Sequence, residues 1–373
     1  MSGTGIVDDV RGIAERFAER DASDPESYPA ENIADLQRLG VLLSPFSQDV
    51  GGRSAGLPEL VQVTESVAAA SASTALLLSM PLGVAGLYGL GASAAPSEHR
   101  AAWSAQIEQV AGEFRADHIY AACNSEKGTA GSLLNTTTTV DRRTDGELRI
   151  TGEKILASFG RHADTFFSTA RVRPDQLPGA GPVEFFLVRS RAPGVEIRSD
   201  WNGFGMRSTE SHSVRYDQAP VVDVMGFPGF IDTVQPITYW YCLFAAISLG
   251  CAGSMLQSLA TPAPESPALR LRFSEALMRY EAMRAYLLQT AAQWKPAAGP
   301  GLAAKVLRMK TYVTQEATRL CAELFALSGG RHYTRTDRLA RALADSFAGT
   351  ALRPPLPLAL DSLVQDFSLS LSI

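Results

Sequence analysis

The chain has 373 residues, 46% hydrophobic and 20% charged, enough for two or three packed domains. Its 34 Lys and Arg against 39 Asp and Glu leave a net charge of −5, and no Lys/Arg run or basic face with interleaved aromatics occurs, which argues against a nucleic-acid partner. Cys123, Cys242, Cys251 and Cys321 form no CxxC pair and the 5 His are scattered, so no metal site is expected and reduced thiols fit a cytoplasmic protein.

The first block reads as helix. "IVDDVRGIAERFAERDA" is charged, places Ile13 and Phe17 at helical spacing, and lacks the apolar core of an export signal. Helical period follows over 29–42, 57–80 and 96–113, the last opened by Pro96-Ser97-Glu98 with its acid near the helix start. Two uncharged stretches, Ser66 to Ser97 and Thr233 to Pro264, are long enough to span a bilayer. Both are rich in Gly, Ala and Ser and lack flanking Lys/Arg clusters, so they read as helices buried on all sides and no membrane partner is expected.

The period changes near residue 118. "LNTTTTVDRR", "ELRITGEKILASFG", "TFFSTARV", "VEFFLVRS" and "HSVRYDQAPV" are β-branched or aromatic runs between Gly, Pro and Asp turns, the pattern of antiparallel strands. Helical period returns from 229 in three stretches of bundle length, the first two joined by Pro-rich "LATPAPESPALR". The uncharged helix around Trp240 and Leu243 asks for partners on more than one side, which predicts a homodimer or homotetramer. The expected architecture is α+β: an N-terminal helical domain (1–117), a middle antiparallel β-domain (118–225) and a C-terminal four-helix bundle (226–373).

Four stretches carry a resemblance. "SDWNGFGMRSTESHSVRYDQAPV" (199–221) bridges the strands and the bundle, and "YAACNSEKGTAGSLLNTTTTV" (120–140) is a Gly- and hydroxyl-rich loop. "GEKILASFGRHADTFFSTARV" (152–172) has Gly152, Lys154, Ser158, Gly160, Ala163 and Asp164 in register, and the long helix from Gly301 ends in Gly329-Gly330 before Arg338 and Arg341. In this order they resemble the acyl-CoA dehydrogenase family over almost the whole chain. The resemblance implies the three-domain fold, a homo-oligomer, FAD, and an acyl-CoA or acyl-carrier-protein substrate. It implies cofactor contacts from Ser125, Ser132 and Ser158, from Gly329 and Gly330, and from Arg270 toward a neighbouring subunit. Short hydroxyls donate without bulk, and glycine lets the backbone come close.

Three departures from the family pattern bear on function. Ser274 replaces the Gly of Arg-x-x-Phe-Gly after Arg270 and Phe273, and Ala326 stands where a Gln contacts FAD. Leu156 and Phe159 replace a Trp and an Asn beside the flavin. The third concerns the base. Removing an α-proton from an acyl thioester requires a carboxylate, yet Ala348-Gly349-Thr350 occupies the place of the family's Glu-Gly-Thr, and no acid lies between Asp232 and Glu265 on the first bundle helix. Candidate replacements are Asp345, at ion-pair spacing from Arg341, Glu126 in the flavin-side loop, and His332 beside Tyr333.

"ADSFAGTALRPP" matches a branch ending Arg-Asp-x-x-Ala-Gly-x-x-His-Pro-Pro, with Arg353 near the His. That branch includes flavin-dependent monooxygenases, which need no such carboxylate. Three functions therefore stand: a flavoprotein oxidoreductase acting on an acyl thioester, a flavin-dependent monooxygenase, and a cofactor-free enzyme or interaction subunit that has lost FAD.

Overall fold

Ser71 divides into two helices the stretch that reads as one. The computed structural model describes residues 5–365; residues 1–4 of the expected N-terminal domain and 366–373 of the expected bundle lie outside the described residues. Five helices come first: α1 (Ile6–Ser23), α2 (Ala30–Arg38), α3 (Leu57–Ala70), α4 (Ala72–Tyr88) and α5 (Arg100–Arg115). Between α3 and α4 the Ser71 backbone is extended, and its Oγ accepts from the Thr74 N–H and donates to Asp21 Oδ1 at 2.9 Å. A short hydroxyl at an N-cap satisfies a donor that the helix leaves unpaired. Every residue of α4 is buried, as its uniform apolarity requires.

Eight strands form one sheet: β1 (Tyr120–Ala122), β2 (Thr139–Arg142), β3 (Leu148–Ala157), β4 (Thr165–Val172), β5 (Val183–Arg189), β6 (Val195–Ile197), β7 (His212–Pro220) and β8 (Asp223–Val224). Their order is β6-β7-β3-β2-β4-β5-β8, with β1 beside β4. The pairing is antiparallel except that β1 and β2 each run parallel to β4. The register of β3 against β7 slips between Lys154 and Ala157, where Leu156 adopts a left-handed φ of 59°. A bulge of this kind re-aims the side chains on either side of it.

The remaining helices are α6 (Phe230–Val234), α7 (Ile237–Ala260), α8 (Pro267–Gln293), α9 (Pro300–Leu327), α10 (Arg338–Ser346), α11 (Ala348–Ala351) and α12 (Leu356–Gln365). α7 lies against α3, α4, α8, α9 and α10. Its approach to α4 is close: a Cβ on Gly83 would meet Trp240 Nε1 at 2.1 Å. Trp240 stacks on Phe167 of β4 and donates to the Ser79 carbonyl at 3.0 Å. α7 is long and apolar enough to cross a membrane, and 78% of its apolar window is buried within the protein. The chain thus supplies from its own elements the partners that Trp240 and Leu243 demand.

Candidate functional site

A cavity of about 310 Å³ opens where the sheet meets α4, α7 and the segment from α10 to residue 353. The loop after β1 contributes Asn124 and Ser125, and the bulged end of β3 and the residue after it contribute Leu156 and Ser158. The turn before β7 adds Trp201 and Phe204, and Ala348 and Arg353 close the helical side. Leu156 is 53% exposed and Phe204 76%, both apolar side chains at the mouth. Large exposed apolar groups grouped at an opening mark a surface that a ligand covers.

The hydroxyls on the sheet side form an ordered chain. Thr209 Oγ1 donates to the Met206 carbonyl at 2.8 Å and lies 2.7 Å from Ser211 Oγ, which is 3.1 Å from Ser158 Oγ. A hydroxyl has one proton. With the Thr209 proton committed to a carbonyl, Ser211 must donate to Thr209 and Ser158 to Ser211. Ser158 therefore offers acceptor lone pairs to a ligand rather than a proton.

Charge in the lining comes from one residue. Among the described residues that line the cavity there is no Asp, Glu, His or Lys, and Arg353 is the single ionised group. Its Nη2 donates to the Asn124 carbonyl at 3.1 Å and to Ser125 Oγ at 3.4 Å, while its Nη1 is buried and meets no acceptor. Lys310 of α9 braces the segment from behind, 1% exposed, with Nζ 2.9 Å from the carbonyls of Leu352 and Pro354. Burial without a carboxylate partner pulls the Lys310 pKa down to about 7.

The proposed replacement bases lie elsewhere. Glu126 is buried beneath the loop, ion-paired to Lys154 Nζ at 2.6 Å. It also accepts from the Thr137 N–H at 2.6 Å, from the Thr138 hydroxyl at 2.8 Å and from the Thr136 hydroxyl. Burial pushes its carboxyl up, but the Lys154 ammonium and these donors outweigh that and hold it well below the carboxylate range. It is a structural anion, not a base. Asp345 faces away from the cavity and accepts from the Met206 N–H at 2.6 Å. Arg341, four residues before it, binds the Asp21 carbonyl at 2.7 Å and carboxylate at 3.7 Å, so the expected pair does not form. Enclosure raises the Asp345 pKa to about 6 against the pull of the Met206 N–H. His332 is held between Arg331 at 2.8 Å and Asp337 at 3.0 Å on the turn after α9 and does not line the cavity.

The cofactor candidates divide in two. Ser125 and Ser158 line the cavity. Ser132 does not; its N–H donates to the Thr129 carbonyl in the loop, beside Gly131, where a Cβ would meet Pro355 at 2.3 Å. Arg270 sits in the first turn of α8 and donates to the carbonyls of Pro264 and Glu265 at 3.1 and 2.9 Å, beside a separate groove. Gly329, at φ +85°, ends α9, and Gly330 begins the next turn. The residues that remain together fit the edge of a flavin ring: an apolar side chain from Leu156 and short polar groups from Asn124, Ser125 and Ser158. The residues proposed for a dinucleotide tail do not gather here. No group of three or more His, Cys, Asp or Glu among the described residues could hold a metal ion.

Sequence reasoning missed Asn124, Phe204 and Lys310. Phe204 and Arg353 adjoin stretches already legible, the Gly205-Met206-Arg207 turn and the terminal prolines. Lys310, inside a helix of mixed composition, carried no signal of burial.

Residues 5–107 match the model of the acyl-CoA dehydrogenase N-terminal domain, 121–219 that of the middle domain and 243–352 that of a C-terminal domain. A putative acyl-CoA dehydrogenase of Bacillus subtilis, YdbM, is 25% identical over 94% of this chain and 93% of its own. The amino sugar nitrososynthase DnmZ of Streptomyces peucetius is 26% identical over 90% of this chain and 85% of its own. FMN-bound TdsC from Paenibacillus sp. A11-2, a dibenzothiophene monooxygenase, superposes with a TM-score of 0.80 over 96% of each chain at 21% identity. With three domain models matched in order on one fold, the chain belongs to the acyl-CoA dehydrogenase family.

Proposed function

We propose that this chain is a flavin-dependent monooxygenase on the acyl-CoA dehydrogenase fold. One observation carries the reading: no carboxylate lines the cavity among the described residues, and Ala348 lines it where the family's proton-abstracting Glu is expected. Dehydrogenation of an acyl thioester needs a base on the face of the substrate opposite the flavin. Each candidate replacement either faces away from the cavity or is fully engaged. The similarity to a nitrososynthase and to a dibenzothiophene monooxygenase with FMN supports the same reading.

When bound, reduced flavin would supply two electrons to O2, so that one oxygen atom enters the substrate and the other leaves as water. The electrons come from a separate reductase. The chain's own part is to exclude water with Phe204, Phe347 and Leu156, to orient the ring edge with Ser125 and Ser158, and to hold positive charge at Arg353.

The test uses the purified full chain with added FMN or FAD. The expected result is a yellow complex that butyryl-CoA does not bleach anaerobically and that takes up oxygen after external reduction. Anaerobic bleaching by the acyl thioester would instead establish the dehydrogenase. A colourless chain that takes up neither flavin would leave the cofactor-free function.

A further inference from the structure

Arg353 is a half-buried cation whose Nη1 is shut off from solvent. Among the described residues it makes no ion pair and its Nη1 has no acceptor, while its Nη2 is spent on a carbonyl and a hydroxyl. The nearby acid, Glu126, is neutralised by Lys154. No acidic side chain among the described residues of the lining offsets the guanidinium. Leaving a guanidinium desolvated and unpaired is costly, and a chain that keeps one beside an empty space places it where a ligand's charge completes it. A guanidinium fork also matches an oxyanion better than any other donor.

The walls define the rest of the ligand. Phe167, Trp201, Phe204, Trp240, Phe244 and Phe347 contribute six aromatic rings to the lining. Phe204 and Phe347 meet edge to face, with centroids 6.2 Å apart, at the mouth. Aromatic walls favour flat π-systems, which stack or pack edge-on against them.

We propose that Arg353 is the specificity-determining residue for the substrate, receiving a carboxylate or phenolate oxygen of a planar aromatic molecule held between these rings. The assignment deepens the monooxygenase reading by naming its substrate class, but binding alone tests it. The probe is benzoate, with benzamide as its neutral isostere, titrated by calorimetry into the full chain at neutral pH with and without FMN. Wild type binds benzoate at least about tenfold more tightly than benzamide, the range expected of one charge-assisted hydrogen bond. Arg353→Gln abolishes that ratio and leaves benzamide within about twofold. Arg353→Lys keeps a donor for the Asn124 carbonyl but loses the fork, so the ratio falls several-fold without loss of fold; it decides the matter if the Gln variant does not fold.

A wild type without preference, or an unchanged ratio in both variants, overturns the proposal. So does a variant whose FMN affinity drops while the benzoate ratio stays, since Arg353 would then serve the flavin. A chain that takes up no flavin yet retains an Arg353-dependent benzoate preference sinks the monooxygenase reading and leaves this assignment standing.

Discussion

Lys310 Nζ lies 2.9 Å from the carbonyl oxygen of Leu352, tying the middle of α9 to the segment that brings Arg353 to the cavity. The contact is made by a lysine that no carboxylate neutralises, and desolvation lowers its pKa from 10.5 to about 7. Between these values the unfolded chain holds a proton that the folded chain has released. Stability must therefore rise with pH through this window, and the full penalty of burying the charge is felt below pH 7. Urea unfolding of wild type and Lys310→Met at pH 7 and 8.5 reads the effect. The wild type should gain on the variant by about 1 kcal/mol per pH unit. Parallel behaviour of the two proteins would show that Lys310 is charged throughout.

Asp345 behaves in the opposite sense. Its carboxyl is raised from 3.8 to about 6, so the folded state holds a proton that the unfolded state has lost, and stability falls as pH rises through that window. Asp345→Asn retains an oxygen for the Met206 N–H and removes the charge. Above pH 6 the variant should be more stable than wild type by up to about 3 kcal/mol, the upper bound set by a shift of about two units. Its turnover, once a substrate is in hand, should stay within about threefold of wild type, against the 10²–10⁴-fold loss expected of a base. A loss of that larger size would return Asp345 to the chemistry.

Glu126 and Lys154 pin the flavin-side loop to the sheet. Replacing Glu126 with Gln strands a buried ammonium, which costs about 3–5 kcal/mol, and the Glu126→Gln/Lys154→Met double variant should recover part of the loss. The carboxylate's pKa is depressed in the fold, so its stabilisation is present above its unfolded value of 4.5 and disappears as pH falls below it. Thermal unfolding of the three proteins across pH 3–7 checks both points. Equal melting temperatures for wild type and Glu126→Gln would contradict the assigned role.

Most of the fold was legible because period and composition reported burial directly. The Ala-rich helices, the β-branched runs and the Gly-Met-Arg turn each carried a local pattern strong enough to survive packing. Two features were hidden because they depend on tertiary partners. Ser71 breaks a continuous apolar pattern because Asp21, 50 residues away, accepts its hydroxyl proton. The helix around Trp240 is covered within the chain by α3 and α4, which are remote from it in sequence. At the site, sequence placed Ser125, Ser158 and Ala348 in one region, and all three line the cavity. It could not separate Glu126 from a base, since a carboxylate in a loop looks the same whether water or a buried lysine faces it.

Ala348 provides the sharpest discrimination. Its methyl lines the cavity one residue before Gly349, where a Cβ would meet Ser248 Oγ at 2.0 Å, so α11 is seated too tightly on α7 to shift. Ala348→Glu therefore projects a carboxylate into the cavity rather than displacing the helix. On the dehydrogenase reading the missing base is restored, and butyryl-CoA should bleach the bound flavin anaerobically. On the reading favoured by the cavity's charge, the new carboxylate finds Arg353, the single cation among the described lining residues, and pairs with it. Benzoate affinity should then fall about tenfold or more, as in Arg353→Gln, since the guanidinium is no longer free. Combining the two substitutions should cost no more than either alone, the non-additivity of residues acting on one interaction. Additive losses would mean that the introduced carboxylate never reaches Arg353. Gain of thioester-driven bleaching would mean that one methyl-to-carboxylate change is all that separates this chain from a dehydrogenase.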